Sequence, residues 1–226
     1  MEDFVWSDPP QRTAFPVARP GHPLIAGSAF ATLVLALLGI APAALLGLAA
    51  TFCIAAFFRD PDRVTPGRPG LVVSPADGRV ISVGPVHAAP FFQEDMLKIS
   101  IFMSVLNVHV NRVPAEGQVY RVSYRPGTFK VASRDEASMR NEHNAVFVET
   151  TYGKRICFVQ VAGLLARRII CQVQPGDGVK RGQRFGMICF GSRLDVFLPR
   201  DVVPAVSAGD RVTAGQSVLG SFPGVA

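Results

Sequence analysis

The chain has 226 residues, enough for one domain of ordinary size and an additional segment. Its net charge of +6 comes from scattered arginines without the interleaved aromatic residues of a nucleic-acid-binding surface, which argues against a nucleic acid partner. The four cysteines are widely spaced and form no Cys/His cluster, so free thiols and no metal site are expected.

An N-terminal tail over 1–23 precedes a stretch without charged side chains, 24–58, in which the hydrophobic residues are concentrated. A straight helix of 35 residues would extend about 52 Å, whereas the hydrocarbon core of a bilayer is about 30 Å thick. One straight span is therefore a poor fit. The absence of any polar face nevertheless favours a membrane-associated segment over a helical hairpin buried in a soluble core.

Two residues interrupt the middle of this apolar segment, Gly39 and Pro42, and proline breaks or kinks a helix. Two arrangements follow. One is a hairpin of two helices over roughly 24–40 and 43–58, and the other is one tilted span followed by an interfacial piece. Arginines flank both ends of the segment, which favours the hairpin with both ends cytoplasmic.

From residue 59 onward the sequence predicts a mainly β domain extending to residue 226. After a linker rich in proline and glycine, short runs of Val, Ile, Phe and Tyr alternate with turn residues, as expected for a compact β domain. The predicted strands cover 71–74, 79–83, 97–103, 118–124, 145–150, 155–162, 169–173, 185–189 and 194–198.

An internal repeat lies near the C-terminus of this domain. The pattern Gly-Asp-x-Val-x-x-Gly-Gln occupies 176–183 and recurs 33 residues later at 209–216. Each copy predicts a tight turn, an apolar anchor and a second turn, and glycine allows the positive φ of such turns. The pattern resembles the half-motif of lipoyl- and biotinyl-type domains and predicts a barrel-sandwich-like fold, which by itself indicates no function.

Between the two copies lies the pair Gly191 and Ser192, at a strand-to-strand connection. By itself, such a pair most simply indicates a plain hairpin turn. Its significance depends on the motifs that accompany it elsewhere in the chain.

Three further motifs precede the pair: Ser-Pro-Ala-Asp-Gly at 74–78, Asn-Val-His-Val-Asn-Arg at 107–112 and Glu-His-Asn at 142–144. Together with the apolar segment, Phe-Phe-Arg-Asp-Pro at 57–61 and Phe-Gly-Ser-Arg at 190–193, they resemble the short, membrane-associated phosphatidylserine decarboxylases. The resemblance runs over nearly the whole chain. It depends on the ordered set of motifs, since no single one of them would suffice.

This resemblance implies a proenzyme that cuts itself between Gly191 and Ser192 into a β chain (1–191) and an α chain (192–226), which form a heterodimer. Ser192 would become a covalent pyruvoyl cofactor that forms a Schiff base with the substrate amine and withdraws electrons as carbon dioxide leaves. The implied reaction converts phosphatidylserine into phosphatidylethanolamine at the cytoplasmic face of the cell membrane. A related serine-headgroup lipid, such as archaetidylserine, is the alternative substrate.

The residue types of the pair suit self-cleavage. The Ser192 hydroxyl would attack the carbonyl carbon of Gly191, and β-elimination from the resulting ester would leave dehydroalanine, which hydrolyses to the pyruvoyl group. Because Gly191 has no Cβ, its peptide can be strained and closely approached. A hydroxyl is a weak nucleophile, so an adjacent base is required.

The resemblance implies an Asp–His–Ser relay, for which Asp77 and His109 are the matching residues. The longer members of the superfamily have two histidines three residues apart, and here Arg112 stands in the second position. The base therefore stays open between His109 and Asp77, and His109 is also the candidate acid that protonates the product. Arg112 and His143 are candidate pocket residues, with a solvated loop as the alternative for His143. An Asp-Gly pair such as Asp77 with its neighbour is otherwise an ordinary turn.

A lipoyl-like carrier or membrane-anchored adaptor is the alternative class of protein. A carrier needs a modifiable lysine between its half-motifs, and the chain has no lysine between Ile188 and Gly209. An adaptor would need a long coiled-coil hairpin, and heptads are lacking in the sequence. The enzyme is therefore the favoured interpretation.

Overall fold

The computed structural model describes residues 16–87, 91–128, 141–163, 168–189 and 192–225. It divides into two compact units, the first ending at Asp62 and the second beginning at Arg63. Gly191 and most of the predicted N-terminal tail lie outside the described residues.

The first unit contains two apolar helices, α1 (His22–Leu37) and α2 (Ala41–Phe57), that pack against each other. Their contact includes a hydrogen bond between the hydroxyls of Thr32 and Thr51, 3.5 Å apart. Gly47 lies so close to Thr32 that a Cβ there would be 2.6 Å from the Thr32 hydroxyl oxygen. A side chain at this position would therefore push the two helices apart.

The break between the helices falls slightly before the predicted position. Gly39 has φ +72°, a conformation that glycine adopts without steric cost, and it ends the first helix. Pro42 does not kink a helix but lies in the first turn of α2, where its missing N–H would have had no partner. The helix over Arg19–Leu37 is long and apolar enough to cross a membrane, and Ala41–Phe57 is a shorter apolar helix.

The second unit is built from strands, and the prediction of a mainly β domain is confirmed. The strands are β1 (Leu71–Val73), β2 (Gly78–Val86), β3 (Met96–Met103), β4 (Val110–Arg112), β5 (Gly117–Arg125), β6 (His143–Thr150), β7 (Arg155–Val161), β8 (Arg168–Cys171), β9 (Gly178–Val179), β10 (Arg184–Cys189), β11 (Ser192–Pro199), β12 (Val203–Pro204), β13 (Arg211–Val212) and β14 (Val218–Ser221).

Among the described residues, the main sheet has eight antiparallel strands in the order β13-β2-β3-β11-β7-β6-β5-β9, and it curls into a half-barrel. Two small sheets accompany it, β4-β10-β8 and β1-β14-β12. Side chains alternate between the two faces of the main sheet. Its core face packs with residues of the small sheets into one hydrophobic core that includes Ile99, Ile101, Phe158, Leu194 and Val196.

The outer face of the main sheet carries a second apolar cluster. It consists of buried residues from β3, β6, β7 and β11, with Phe91 and Phe92 packed against them: Met96, Ala145, Phe147, Cys157, Val159, Val161 and Phe197. The strand β11 thus lies between two buried layers. Every one of its residues from Ser192 to Leu198 is buried.

The two Gly-Asp turns at 176–177 and 209–210 make matching backbone contacts. Gly176 has φ 98° and donates its N–H to the carbonyl of Val119 at 2.7 Å, while Gly209 has φ 103° and donates to Val80 at 2.8 Å. Each turn leads into a two-residue edge strand of the main sheet, β9 beside β5 and β13 beside β2. The two turns therefore lie at opposite edges of the same sheet.

Candidate active site

Ser192 is the first residue of β11 and is completely buried on the core face of the main sheet. It pairs across the sheet with Met103, the last residue of β3. Its hydroxyl donates to the Met103 sulfur at 3.4 Å, and a thioether is a weak acceptor. The hydroxyl is therefore held in a dry environment by an interaction that is easily given up.

The connection before Ser192 is not a hairpin, so the hairpin interpretation of the Gly–Ser pair is wrong. The preceding strand, β10, ends at Cys189 and pairs with β4 and β8, whereas β11 pairs with β3 and β7. The chain thus passes from one sheet to another across two residues, 190 and 191. The Gly191–Ser192 bond lies at this crossing, although Gly191 itself is outside the described residues.

A buried chain of three amide side chains leads away from Ser192. Asn111 donates to the Met103 sulfur at 3.7 Å, and its oxygen accepts an N–H of Gln160 at 2.9 Å. Gln160 in turn accepts from Asn144 at 3.2 Å. Through this chain, called here the amide chain (Asn111, Gln160 and Asn144), the motifs at 107–112 and 142–144 are connected to Ser192.

Gln160 is the central residue of the amide chain, and a second contact fixes it. Its amide also donates to the carbonyl of Ile170 on β8 at 3.3 Å. The backbone of Gly186 passes so close to Ile170 and Gln160 that a Cβ at this position would contact both. Any side chain at Gly186 would therefore displace the amide.

His109 is completely buried just before β4. Its Nδ1 lies 2.9 Å from the carbonyl oxygen of Asn107, and a carbonyl can only accept, so Nδ1 carries the hydrogen. In the neutral ring the basic lone pair is then on Nε2. The His109 carbonyl accepts the N–H of Ile188 at 3.3 Å, so the residue lies beside the end of β10, next to the crossing.

The turn over 104–107 joins Met103 to His109 and is itself well ordered by hydrogen bonds. The side-chain oxygen of Asn107 accepts from both the N–H and the hydroxyl of Ser104, at 2.9 and 2.8 Å. The Asn107 N–H donates to the Ser104 carbonyl at 3.0 Å. These bonds hold the backbone of the turn that lies between Met103 and His109.

Asp77 has partners other than the two residues of the predicted relay. One carboxylate oxygen accepts the N–H of Ala214 at 2.7 Å, and the other forms an ion pair with Arg63 at 3.0 Å. Within the part of the chain that the structure describes, these contacts join Asp77 to the turn of the second repeat copy. They do not bring it to Ser192 or His109.

Arg112 is buried at the far end of β4, where its strand partner is Arg184 at the beginning of β10. Its guanidinium donates to the carbonyl of Gly182 at 2.9 Å. A Cβ on Gly215 would lie 2.9 Å from the Arg112 side chain. Arg112 thus contacts the second turn of both repeat copies and extends away from the crossing.

His143 is buried at the start of β6, so the solvated-loop interpretation is wrong. Its Nδ1 lies 2.8 Å from the carbonyl oxygen of Asn141, the same arrangement as in His109. Its ring contacts Phe91 edge-on, with centroids 6.0 Å apart, on the outer face of the sheet. The neighbouring Asn144 points to the core face and belongs to the amide chain.

Sequence reasoning missed four residues that contact or support Ser192. Asn111 and Asn144 lay inside quoted motifs but had no role, and Met103 was only the end of a predicted strand. Gln160 had a usable signal, because it is the one polar residue between Ile156 and Ala162 in an otherwise apolar run. An unpaired amide in such a run is costly, which predicts a buried hydrogen-bond partner.

The outer face of β11 carries a buried ionic cluster directly behind Ser192. Arg193 is completely buried and makes two hydrogen bonds to Asp195, at 2.6 and 2.9 Å. Lys98 on β3 lies 3.4 Å from the same carboxylate. Burial raises the pKa of the Cys157 thiol on the neighbouring strand, with Arg121 opposing and Asp195 adding to the increase. That thiol therefore stays protonated at neutral pH.

Comparison with known proteins gives a consistent result. The sequence model of the phosphatidylserine decarboxylase family matches residues 50–220 of this chain. The phosphatidylserine decarboxylase proenzyme of Geotalea uraniireducens is 49% identical over 208 residues, covering 92% of this chain and 97% of the relative. Those of Syntrophotalea carbinolica and Syntrophus aciditrophicus are each 48% identical, covering 91% of this chain and 96% and 97% of the relatives.

Proposed function

Because the chain belongs to the phosphatidylserine decarboxylase family, we propose that it cuts itself between Gly191 and Ser192 and then converts phosphatidylserine into phosphatidylethanolamine. The observation that carries the proposal is the position of Ser192, buried at a two-residue crossing between two sheets and connected through Met103 and the amide chain to the motifs at 107–112 and 142–144. Similarity to relatives called proenzymes over more than nine-tenths of the chain supports it.

Maturation begins when the Ser192 hydroxyl turns from the Met103 sulfur to the carbonyl carbon of Gly191. Nε2 of His109 takes the hydroxyl proton, and the amide nitrogen is protonated as its bond to Gly191 breaks. The result is an ester of Gly191 on the Ser192 oxygen. Loss of the Cα proton then expels Gly191 as a carboxylate, and hydrolysis of the remaining aminoacryl end releases ammonia and forms the pyruvoyl group.

The surroundings of Ser192 fit such a group. The position is completely buried, and its hydroxyl contacts the neutral Met103 sulfur, to which Asn111 of the amide chain also donates. Once formed, the pyruvoyl group would supply a conjugated carbonyl that accepts the electron pair of the bond between the substrate Cα and its carboxylate as carbon dioxide leaves. The amide chain would fix the orientation of the chain end that carries it.

His109 is our candidate for the general acid that donates the proton required by the product. Its Nδ1–H is anchored to the Asn107 carbonyl, so Nε2 is the atom that takes up and returns protons. The Ile188 N–H holds the backbone of His109 beside the crossing. The same nitrogen would thus serve maturation first and turnover afterwards.

The other candidate residues would act indirectly. We assign Asp77 a positioning role outside the relay, since its carboxylate holds the Ala214 N–H and the Arg63 guanidinium against the motif at 74–78. Arg112 would fix the two repeat copies relative to β4. His143, with Phe91 against its ring, lies on the outer face of the main sheet, so it would support the strand that carries Asn144 rather than line a pocket at Ser192.

The two products of cleavage would remain together as a heterodimer. The α chain begins with β11, which pairs with β3 along its entire length and with β7 along most of it, and both neighbours belong to the β chain. Separation would expose the buried residues of β11 on both faces. Attachment to the cytoplasmic face of the cell membrane, through α1 and α2, would bring this assembly to its lipid substrate.

The experiment is an assay of the full chain with phosphatidylserine vesicles, in which phosphatidylethanolamine and carbon dioxide are measured. The wild-type chain should form both products, and Ser192→Ala should form neither. Vesicles of other serine-headgroup lipids, archaetidylserine included, measure the substrate preference in the same assay. Equal turnover by wild type and Ser192→Ala would contradict the proposal.

A further inference from the structure

The small sheet β4-β10-β8 has one end at the candidate active site. Its strands are antiparallel, so the start of β4, the end of β10 and the start of β8 lie together. His109 precedes β4 at this end, and the chain leaves β10 here toward Ser192. Whatever approaches this end of the sheet approaches the reacting residues.

An exposed apolar tip lies at the same end. It is the turn over 104–107, called here the apolar turn, in which Leu106 is 80% exposed and Val105 is 44% exposed. Three hydrogen bonds between Asn107 and Ser104 give the turn a fixed shape. Single exposed apolar residues are common, but here two adjacent ones are presented by an ordered turn between Met103 and His109.

A positive charge accompanies the apolar turn. Arg168 is the first residue of β8, is exposed, and pairs with Cys189 at the end of β10. Leucine and valine favour the hydrocarbon side of a membrane interface, and arginine is attracted to anionic headgroups. The apolar turn and Arg168, at the same end of this small sheet, are together complementary to the surface of an anionic bilayer.

We propose that the apolar turn and Arg168 form a contact surface for an anionic phospholipid bilayer, with Val105 and Leu106 inserted among the acyl chains and Arg168 at the headgroups. The inference rests on the proposed function, since the lipid substrate lies in such a bilayer. Insertion beside Met103 and His109 would bring a headgroup to the end of the small sheet at which His109 lies, while its acyl chains stay in the membrane.

The first test measures insertion without turnover. In a Trp6→Phe background of the full chain, Leu106→Trp provides a single fluorophore, and Val203→Trp is the control because Val203 is 60% exposed on β12 of the same unit. Vesicles contain brominated phosphatidylcholine and phosphatidylglycerol. The fluorescence of the tryptophan at position 106 should be quenched, and its emission maximum should shift to shorter wavelengths. The tryptophan at position 203 should show neither change. Equal quenching at both positions, or at neither, would overturn the proposal.

The second test compares two physical forms of phosphatidylserine. For Leu106→Ser, kcat/KM on vesicles should fall roughly tenfold, as expected when one leucine no longer enters an apolar phase. For Arg168→Gln it should fall about fivefold, and less in high salt. On dispersed short-chain phosphatidylserine both variants should match wild type, and Val203→Ser should match it on either form.

Equal losses on both forms of substrate, or no loss on vesicles, would contradict the bilayer contact. The two tests also separate this inference from the proposed function. If wild type failed to decarboxylate phosphatidylserine, the proposed function would be wrong, whereas the quenching at position 106 would still measure membrane contact on its own.

Discussion

The two faces of strand β11 differ in their buried polar residues, which are uncharged on the core face and charged on the outer face. On the core face, Ser192 is followed by Leu194 and Val196, and its hydroxyl donates to the neutral Met103 sulfur. On the outer face, Arg193 and Asp195 form a buried ion pair. A buried charge near the Ser192 hydroxyl would act strongly at low dielectric. Because these charges satisfy each other behind the strand, they stabilise it without entering the reacting site.

This difference predicts that substitutions on the Ser192 side change the chemistry, whereas those on the outer face change the stability. The largest effect is expected for His109→Ala in enzyme that has already been cleaved. Loss of a general acid typically costs about a hundredfold to ten-thousandfold in kcat. The measurement is kcat on dispersed phosphatidylserine, with His87→Ala as the control because His87 is an exposed histidine. Normal turnover by His109→Ala would remove its catalytic role.

On the outer face, Asp195→Asn should chiefly destabilise the fold. It leaves the completely buried Arg193 without its carboxylate, and breaking a buried pair costs about 3–5 kcal/mol. The free energy of unfolding, measured by urea titration, should fall by this amount, while the folded fraction still undergoes cleavage. Lys154→Gln is the control, since Lys154 forms an exposed ion pair with Asp201 and should change stability little. Unchanged stability of Asp195→Asn would contradict the account.

On the Ser192 side, Gln160→Met should slow self-cleavage and lower stability moderately. It leaves Asn111 and Asn144 without their shared partner, at about 1–3 kcal/mol for each buried polar group left unsatisfied. A time course of cleavage on a denaturing gel measures the rate, and the exposed Gln118→Met is the control. If the three amides act as a unit, adding Asn111→Ala to the Gln160→Met variant should slow cleavage by a smaller factor than Asn111→Ala does in the wild-type protein. Full additivity would show that the two amides act separately.

The smallest effect is expected for Ser100→Ala, on the outer face of β3 opposite Asp195. Its hydroxyl oxygen is buried and makes no hydrogen bond with the described residues. Removing an unsatisfied hydroxyl should leave the free energy of unfolding unchanged or raise it by up to about 1 kcal/mol. Thermal unfolding checks this, and a clear loss of stability would reveal a partner for the hydroxyl.

The elements that sequence predicted best are those with a strong local pattern. The break between the two apolar helices follows from Gly39 and Pro42, and the strands β3 and β7 follow from largely apolar runs bounded by turns. Strand β4 has a weaker local pattern because buried polar side chains, among them Asn111 and Arg112, interrupt its apolar character. A local sequence pattern indicates which residues are buried. It does not identify the distant residue that forms a hydrogen bond with a buried polar side chain and so offsets the cost of burying it.

The relations between distant residues were the least predictable. Taken by itself, the Gly–Ser pair was expected to be a hairpin because short connections usually join paired strands, yet β10 and β11 pair with strands far away in the sequence. The contacts of Asp77 with Arg63 and Ala214 are likewise tertiary. Ser192 itself was identified through resemblance, and its contact with Met103 required the register of β3 against β11.

The most direct test of the central claim is the intact mass of the purified full chain and of Ser192→Ala, with and without a carbonyl-specific hydrazide. Wild type should give two fragments, 1–191 and 192–226, and only the smaller should gain the mass of the hydrazide at its first residue. Ser192→Ala should give one unmodified full-length species. A single full-length species from active wild-type enzyme, or a small fragment that begins with an ordinary free serine, would contradict the account.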